Sequence, residues 1–191
     1  MKKFLLYLVL FLLVLSGVLF YNYTHQTTVS TLAAPVLQPI QLRIPAIHVD
    51  APVLNVGQTA QGLMDAPVSQ ALNSPYWTHV FWYAPGTAPG QEGNAVIAGH
   101  VDRVGGDPAV FWYLKQLVRG DDIYVTTGQG QMLHFVVDRA ISYAVAAPVA
   151  PIINAIFGPA TGHHLNLITC NGVWTGHGYD QRLVVFTTQV N

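Results

Sequence analysis

Apolar positions in this chain come in short runs with a period of two. Ile40, Leu42 and Ile44 alternate with Gln41 and Arg43 before Pro45, and a second apolar run at 53–56 follows Pro52. Successive side chains of a strand point to opposite faces and proline cannot donate to a ladder, so these read as two half-buried strands broken by proline. Further runs at 80–83, 95–98, 123–127, 133–143, 165–169 and 183–188 are rich in Val, Ile, Phe and Tyr. Most are bounded by Gly, Pro, Asn or Asp, and the spacing predicts about eight short strands. Helical signals are few. Residues 109–117 follow Asp107-Pro108, an N-cap with proline at the first helical position, and stop before Gly120, which predicts one helix; 150–157 predicts a second. There is no internal repeat. The pattern specifies a mostly-β barrel or sandwich.

A different pattern precedes it. Residues 4–21 are uncharged and apolar, long enough as a helix to cross the hydrocarbon core of a bilayer. The run is longer than the apolar core of a cleavable signal, and the nearest small-x-small site, Leu32-Ala33-Ala34, lies well downstream. The reading is an uncleaved, single-pass signal anchor. Lys2 and Lys3 ahead of it place residues 1–3 in the cytoplasm and the rest of the chain outside. Residues 22–39, rich in Thr, Ala, Pro and Gln, read as a stalk, and 40–191 as the extracytoplasmic domain.

Composition narrows the function. Only 9% of the 191 residues are charged and mean hydropathy is +0.37, which excludes a disordered chain or a coiled coil. The eight Lys and Arg are scattered and the formal net charge is -1, so the phosphate-neutralising footprint of a nucleic-acid binder is missing. A single cysteine, Cys170, forbids an internal disulfide.

The apolar run Asn166-Leu167-Ile168-Thr169 ends on Cys170, followed by the turn residues Asn171-Gly172. An antiparallel return would place Arg182, which opens the next run, at the same end of the neighbouring strand. Asn94-Ala95-Val96-Ile97-Ala98-Gly99 likewise delivers His100 from a strand end. A cysteine nucleophile needs thiolate character, a proton donor for the leaving amine and positive charge where an oxyanion develops. Cys170, His100 and Arg182 can supply these in turn. Taken singly, each has a plainer reading: a small buried hydrophobe, a structural histidine and a solvated or packing arginine.

Together the three segments resemble the sortases, membrane-anchored cysteine transpeptidases, over most of residues 40–191. Ala98-Gly99-His100 matches the context of the family's histidine, Leu167-Ile168-Thr169-Cys170 its Leu-x-Thr-Cys pattern, and Arg182 its arginine. Trp82-Tyr83-Ala84-Pro85-Gly86, the run 95–102, and Pro108-Ala109-Val110-Phe111 with Leu114 are similar to the class F subgroup; Asn166 departs from the Thr found there in many members. The resemblance implies an eight-stranded β-barrel. It implies that Cys170 attacks the carbonyl after Thr in a C-terminal Leu-Pro-x-Thr-Gly sorting signal, forming a thioacyl enzyme. His100 would protonate the leaving amine and later deprotonate the incoming one, and Arg182 would stabilise substrate or oxyanion. The acceptor would be a cell-wall peptide amine or a pilin lysine.

Other residues carry weaker signals. Thr169, Trp174 and His177 surround the cysteine in sequence and are candidate substrate contacts. Asp102 either orients His100 or caps a turn. His100-x6-Asp107 resembles half of a zinc-peptidase ligand set, with His163, His164 or His177 as the third ligand. That leaves Cys170 and Arg182 unexplained, and a catalytically silent barrel adaptor is the other rival. A lone Glu92 and eight scattered Asp predict no calcium site, and no cofactor is expected.

Overall fold

The computed structural model describes residues 38–190. The predicted anchor at 4–21 and all but the end of the predicted stalk at 22–39 lie outside the described residues. Among the described residues no helix is long and apolar enough to cross a membrane.

Each of the eight apolar runs is a strand: β1 (Pro39–Ile44), β2 (Val49–Val56), β3 (Val80–Tyr83), β4 (Gly93–Ala98), β5 (Asp122–Thr127), β6 (Met132–Ala144), β7 (His163–Trp174) and β8 (Tyr179–Val190). They close into one barrel in the order β1-β2-β3-β4-β7-β8-β6-β5. Neighbours are antiparallel except for two parallel pairs, β2 with β3 and β4 with β7. A parallel pair needs a long crossover. Residues 57–79 make the first and reach over the rim of the barrel, where they meet the site described below.

The period-two pattern fills the interior. Leu42, Ile44, Ile123, Val125, Phe135, Leu165, Leu167 and Val185 belong to one core cluster and are nearly or fully buried. Closure removes the edges that would otherwise expose unpaired backbone. In β4 and β8 the alternation is lost: Ala95, Val96 and Ile97, and Leu183, Val184, Val185 and Phe186, are buried in succession. The reason is α1 (Val149–Phe157), whose Ile156 joins Val96, Val184 and Phe186 in a second cluster, with Ile152 and Phe157 packed against it. A strand covered on both faces loses its polar alternation. The predicted helix at 150–157 is therefore present, one residue longer at its start.

The other predicted helix is not. Residues 109–117 form turns that end in a single 3-10 turn, Leu114–Gln116. Their amides are claimed by neighbouring segments: Ala109 N–H donates to Val101 O at 3.0 Å, Val110 to Trp77 O at 2.9 Å and Phe111 to His100 O at 2.9 Å. Phe111 is fully buried, and burying a phenyl ring is worth about 1.5–3 kcal/mol, more than the helix propensity of one short turn. Tertiary pairing and burial override a sound N-cap signal.

That same ring explains a glycine. A Cβ on Gly99 would lie 2.5 Å from Phe111 Cδ2. Gly99→Ala should lower the stability of the purified full-length chain by about 1–3 kcal/mol in denaturant titration. Combining it with Phe111→Leu should recover part of the loss; additive losses in the double variant would show that the ring is not what the glycine accommodates.

Candidate active site

β7 is the axis of the site. Its parallel pairing with β4 sets Ala98 beside Ile168, and Gly99 N–H continues the ladder to Ile168 O at 3.0 Å. Thr169 Oγ1 donates to Gly99 O at 2.8 Å. These bonds fix the backbone on either side of Gly99, so His100 leaves β4 in a defined direction. On its other edge β7 pairs antiparallel with β8, and Cys170 stands directly opposite Arg182. The sequence expectation that the two share one end of adjacent strands is met by an exact register pair.

Cys170 does not end its strand. β7 continues to Trp174, and a bulge between Asn171 and Trp174 interrupts the pairing with β8. Gly172 makes the bulge possible: its φ is +87°, and a Cβ there would lie 2.1 Å from Asp180 Oδ1. Asp180 Oδ1 accepts instead from Val173 N–H at 2.7 Å.

His100 is held by groups that the sequence did not point to. Its Nε2 is 2.9 Å from the Pro67 carbonyl, and its ring packs 5.0 Å from that of Trp77 and 5.5 Å from that of Phe81, centroid to centroid. Nε2 therefore donates to Pro67 O, since a carbonyl only accepts. Asp102 does not orient it. The Asp102 carboxylate accepts from the Tyr179 hydroxyl across the barrel rim. Arg182 is anchored through Nη1, which donates to Tyr179 O and Gln181 O, both at 2.9 Å.

Two cavities meet at these groups. One, of about 510 Å³, runs between α1 and β7; its lining includes Ala98, Gly99, His100, Tyr143, Ile152, Ile156, Ile168, Thr169, Cys170 and Arg182. The other, of about 710 Å³, lies under the β7–β8 hairpin, lined by Val68, Trp77, His100, Asp102, Arg103, Cys170, Trp174 and Tyr179 among others. Cys170 and His100 border both.

The remaining candidates divide. Trp174 is 58% exposed, packs edge-on against Tyr179 and borders the hairpin-side cavity. Thr169 is buried, and its hydroxyl is engaged with Gly99 O, so it ties β7 to the histidine segment while its surface borders the other cavity. His177 is exposed in the hairpin turn and borders neither cavity. Asp107 is exposed. His163 and His164 open β7, opposite Gly93 and Asn94 of β4; seven residues of strand, about 23 Å, separate His163 from Cys170. Among the described residues no three His, Cys, Asp or Glu side chains are grouped to hold a metal, so the zinc-peptidase ligand set is not assembled.

Electrostatics at the sulfur are contested. Burial pushes the Cys170 thiol above its ordinary range, the Arg182 guanidinium pulls it down, and the Asp102 carboxylate pushes it up. Burial dominates, so the resting group is a thiol and its proton must leave as the nucleophile forms. Tyr179 is pushed up to about 12, first by its hydrogen bond to Asp102, and stays a donor at any physiological pH.

A thiol, an imidazole and a guanidinium thus meet at one rim of a closed β-barrel, which defines a barrel protein with a cysteine-centred cleft. The chain belongs to the sortase family: the sortase domain model matches residues 42–190. No curated protein matches it in sequence. Solved structures similar to it include sortase A from Corynebacterium diphtheriae, 21% identical with a TM-score of 0.57 over 81% of this chain and 62% of that one. Sortase C1 of the group B Streptococcus pilus island 1 is 18% identical, TM-score 0.57, over 79% of this chain and 63% of that one. The sortase D5 transpeptidase from Clostridium perfringens is 18% identical, TM-score 0.56, over 81% and 79%. The chain spans less than two thirds of the length of the first two. At these identities the likeness is one of fold.

The charges around the sulfur give a titration prediction. The pH at which iodoacetamide alkylation of Cys170 reaches half its limiting rate should lie above that of an unhindered thiol. Removing the cation with Arg182→Ala should move the midpoint higher; removing the anion with Asp102→Asn should move it lower. Equal midpoints in all three proteins would show that neither charge reaches the sulfur.

Proposed function

We propose that this protein is a cysteine transpeptidase that cleaves a C-terminal sorting signal and joins the released carboxyl to an amine. The observation that carries the reading is the register pair Cys170–Arg182 with His100 bordering the same two cavities. In the first half-reaction Cys170 Sγ attacks the scissile carbonyl and its proton passes to His100. The tetrahedral oxyanion develops near Arg182, whose guanidinium is pre-anchored to its own strand and needs no reorganisation. His100 then protonates the leaving amine, and a thioester remains on Cys170. An amine displaces it in the second half, returning a proton to His100.

The apolar α1-side cavity, with Ile152, Ile153, Ile156 and Ile168 in its lining, suits the Leu-Pro end of a Leu-Pro-x-Thr-Gly signal. The acceptor is read as a cell-wall peptide amine or a pilin lysine; one solved relative is named a pilus-island sortase and another a transpeptidase. Residues 4–21 are read as the membrane anchor that holds the domain outside the cell. The segments Trp82-Tyr83-Ala84-Pro85-Gly86 and Pro108-Ala109-Val110-Phe111 support class F within the family.

Mass spectrometry of the full-length chain in detergent, with a panel of Leu-Pro-x-Thr-Gly peptides and triglycine, tests this. Cleavage after Thr, a thioacyl mass on Cys170 and amine-dependent transfer are expected. Cys170→Ala should abolish all three, and His100→Ala and Arg182→Ala should each slow turnover by about 100-fold or more. No adduct with any peptide, and a Cys170 that meets iodoacetamide only after denaturation, would indicate a silent barrel. Activity that survives Cys170→Ala but not a chelator would indicate a metallopeptidase.

A further inference from the structure

The reaction proposed above has two substrates, and the site has two cavities that share Cys170 and His100. Their charges differ. The ionisable groups of the α1-side cavity are His100, Tyr143, Cys170 and Arg182, with no carboxylate among them. The hairpin-side cavity contains one carboxylate, Asp102, with Arg103, His100, Cys170 and Tyr179. Arg103 is tied to the backbone, Nη1 donating to Leu72 O at 3.1 Å and Nη2 to Pro108 O at 3.4 Å. Asp102 is positioned by one side chain, Tyr179, which donates to Oδ2 from the far strand of the hairpin.

We infer that the hairpin-side cavity is the acceptor subsite, and that Asp102, positioned by Tyr179, receives the incoming amine in its ammonium form. The inference rests on the transpeptidase reading and deepens it. A primary aliphatic amine is mostly protonated at neutral pH, and a carboxylate is the group that recognises a cation by a charge-assisted hydrogen bond. Asp102 and Cys170 line the same cavity, so an ammonium held on the carboxylate shares that cavity with the thioester. Once the acyl chain fills the α1-side cavity, the hairpin side is the open approach, and His100 borders it. Around the carboxylate, Val68, Trp77 and Trp174 are apolar, which suits an unbranched aliphatic stem.

The step balances as follows. The ammonium gives one proton to solvent and becomes a neutral amine. Its nitrogen attacks the thioester carbon, and its second proton passes to the neutral His100 imidazole. One C–N bond forms, one C–S bond breaks, and sulfur leaves as thiolate beside the new imidazolium. Tyr179 acts only through Asp102 and is a positioning residue.

The test separates the half-reactions in the full-length chain with a cleaved panel peptide. Thioacyl formation is read by single-turnover release of the C-terminal fragment; transfer is read against triglycine, a zwitterion whose attacking end is an ammonium at neutral pH, and hydroxylamine, uncharged at neutral pH. Asp102→Asn should raise the KM for triglycine about tenfold, the scale of one charged hydrogen bond. It should leave both thioacyl formation and transfer to hydroxylamine as fast as in the parent or faster, since loss of the carboxylate favours the thiolate. Tyr179→Phe should raise the triglycine KM by about threefold with the same split. Normal thioacyl formation with an unchanged triglycine KM overturns the acceptor subsite alone, as does an equal loss with both nucleophiles. A parent protein that forms no thioacyl with any peptide overturns the transpeptidase reading and this inference with it.

Discussion

The site depends on the seating of β7 between two neighbours that run in different senses relative to it. On one edge the parallel ladder to β4 continues past the strand end through Gly99 N–H to Ile168 O. On the other the antiparallel ladder to β8 opposes Cys170 to Arg182. Strand side chains alternate with period two, so a slip of one residue on either edge would send the cysteine or its partner to the wrong face. Register is protected because both faces of this part of the sheet are buried, one by the barrel interior and the other by α1. The hydrophobic core thereby does the aligning, and the polar groups inherit it.

Glycine enters this frame where close approach demands it. Gly99 lets the fully buried Phe111 ring lie against the backbone just before His100, and the amide of Phe111 in turn donates to His100 O. A larger residue would push apart the two segments that hold the imidazole. Gly172, two residues past the cysteine, turns the strand through a bulge at positive φ and brings the hairpin over the rim. Tyr179 and Trp174 reach the second cavity because of that bulge. Core packing and site geometry are thus the same constraint seen from two sides.

The electrostatic design follows from burial. A half-buried thiol is disfavoured as an anion, and its two charged neighbours oppose each other, Arg182 lowering and Asp102 raising its affinity for the proton. Burial thus favours the protonated form of this sulfur, which is less readily oxidised than a thiolate. The charges also lie in different cavities, Arg182 in the α1-side cavity and Asp102 in the hairpin-side one. The sulfur is thus faced by charges of opposite sign from two different cavities.

Period-two alternation and turn residues located all eight strands, and the chemistry of a lone cysteine between a strand-end histidine and a strand-opening arginine singled out Cys170, His100 and Arg182. These features are local: they depend on a residue and its near neighbours, and a sequence displays those directly. The sequence misjudged residues 109–117, whose helix signal loses to hydrogen bonds that their amides donate to the carbonyls of Val101, Trp77 and His100. It left Asp102 between orienting His100 and capping a turn, and had no sign of Pro67, a backbone carbonyl, or of Tyr179, 77 residues from Asp102 in the chain. Those contacts exist only because barrel closure carries the 57–79 crossover and the β7–β8 hairpin to one rim. The chain itself determined which strands form and which residues have the chemistry. Tertiary structure decided who their partners are, because a hydrogen bond between distant residues is set by where closure places them and leaves no periodic trace in the sequence.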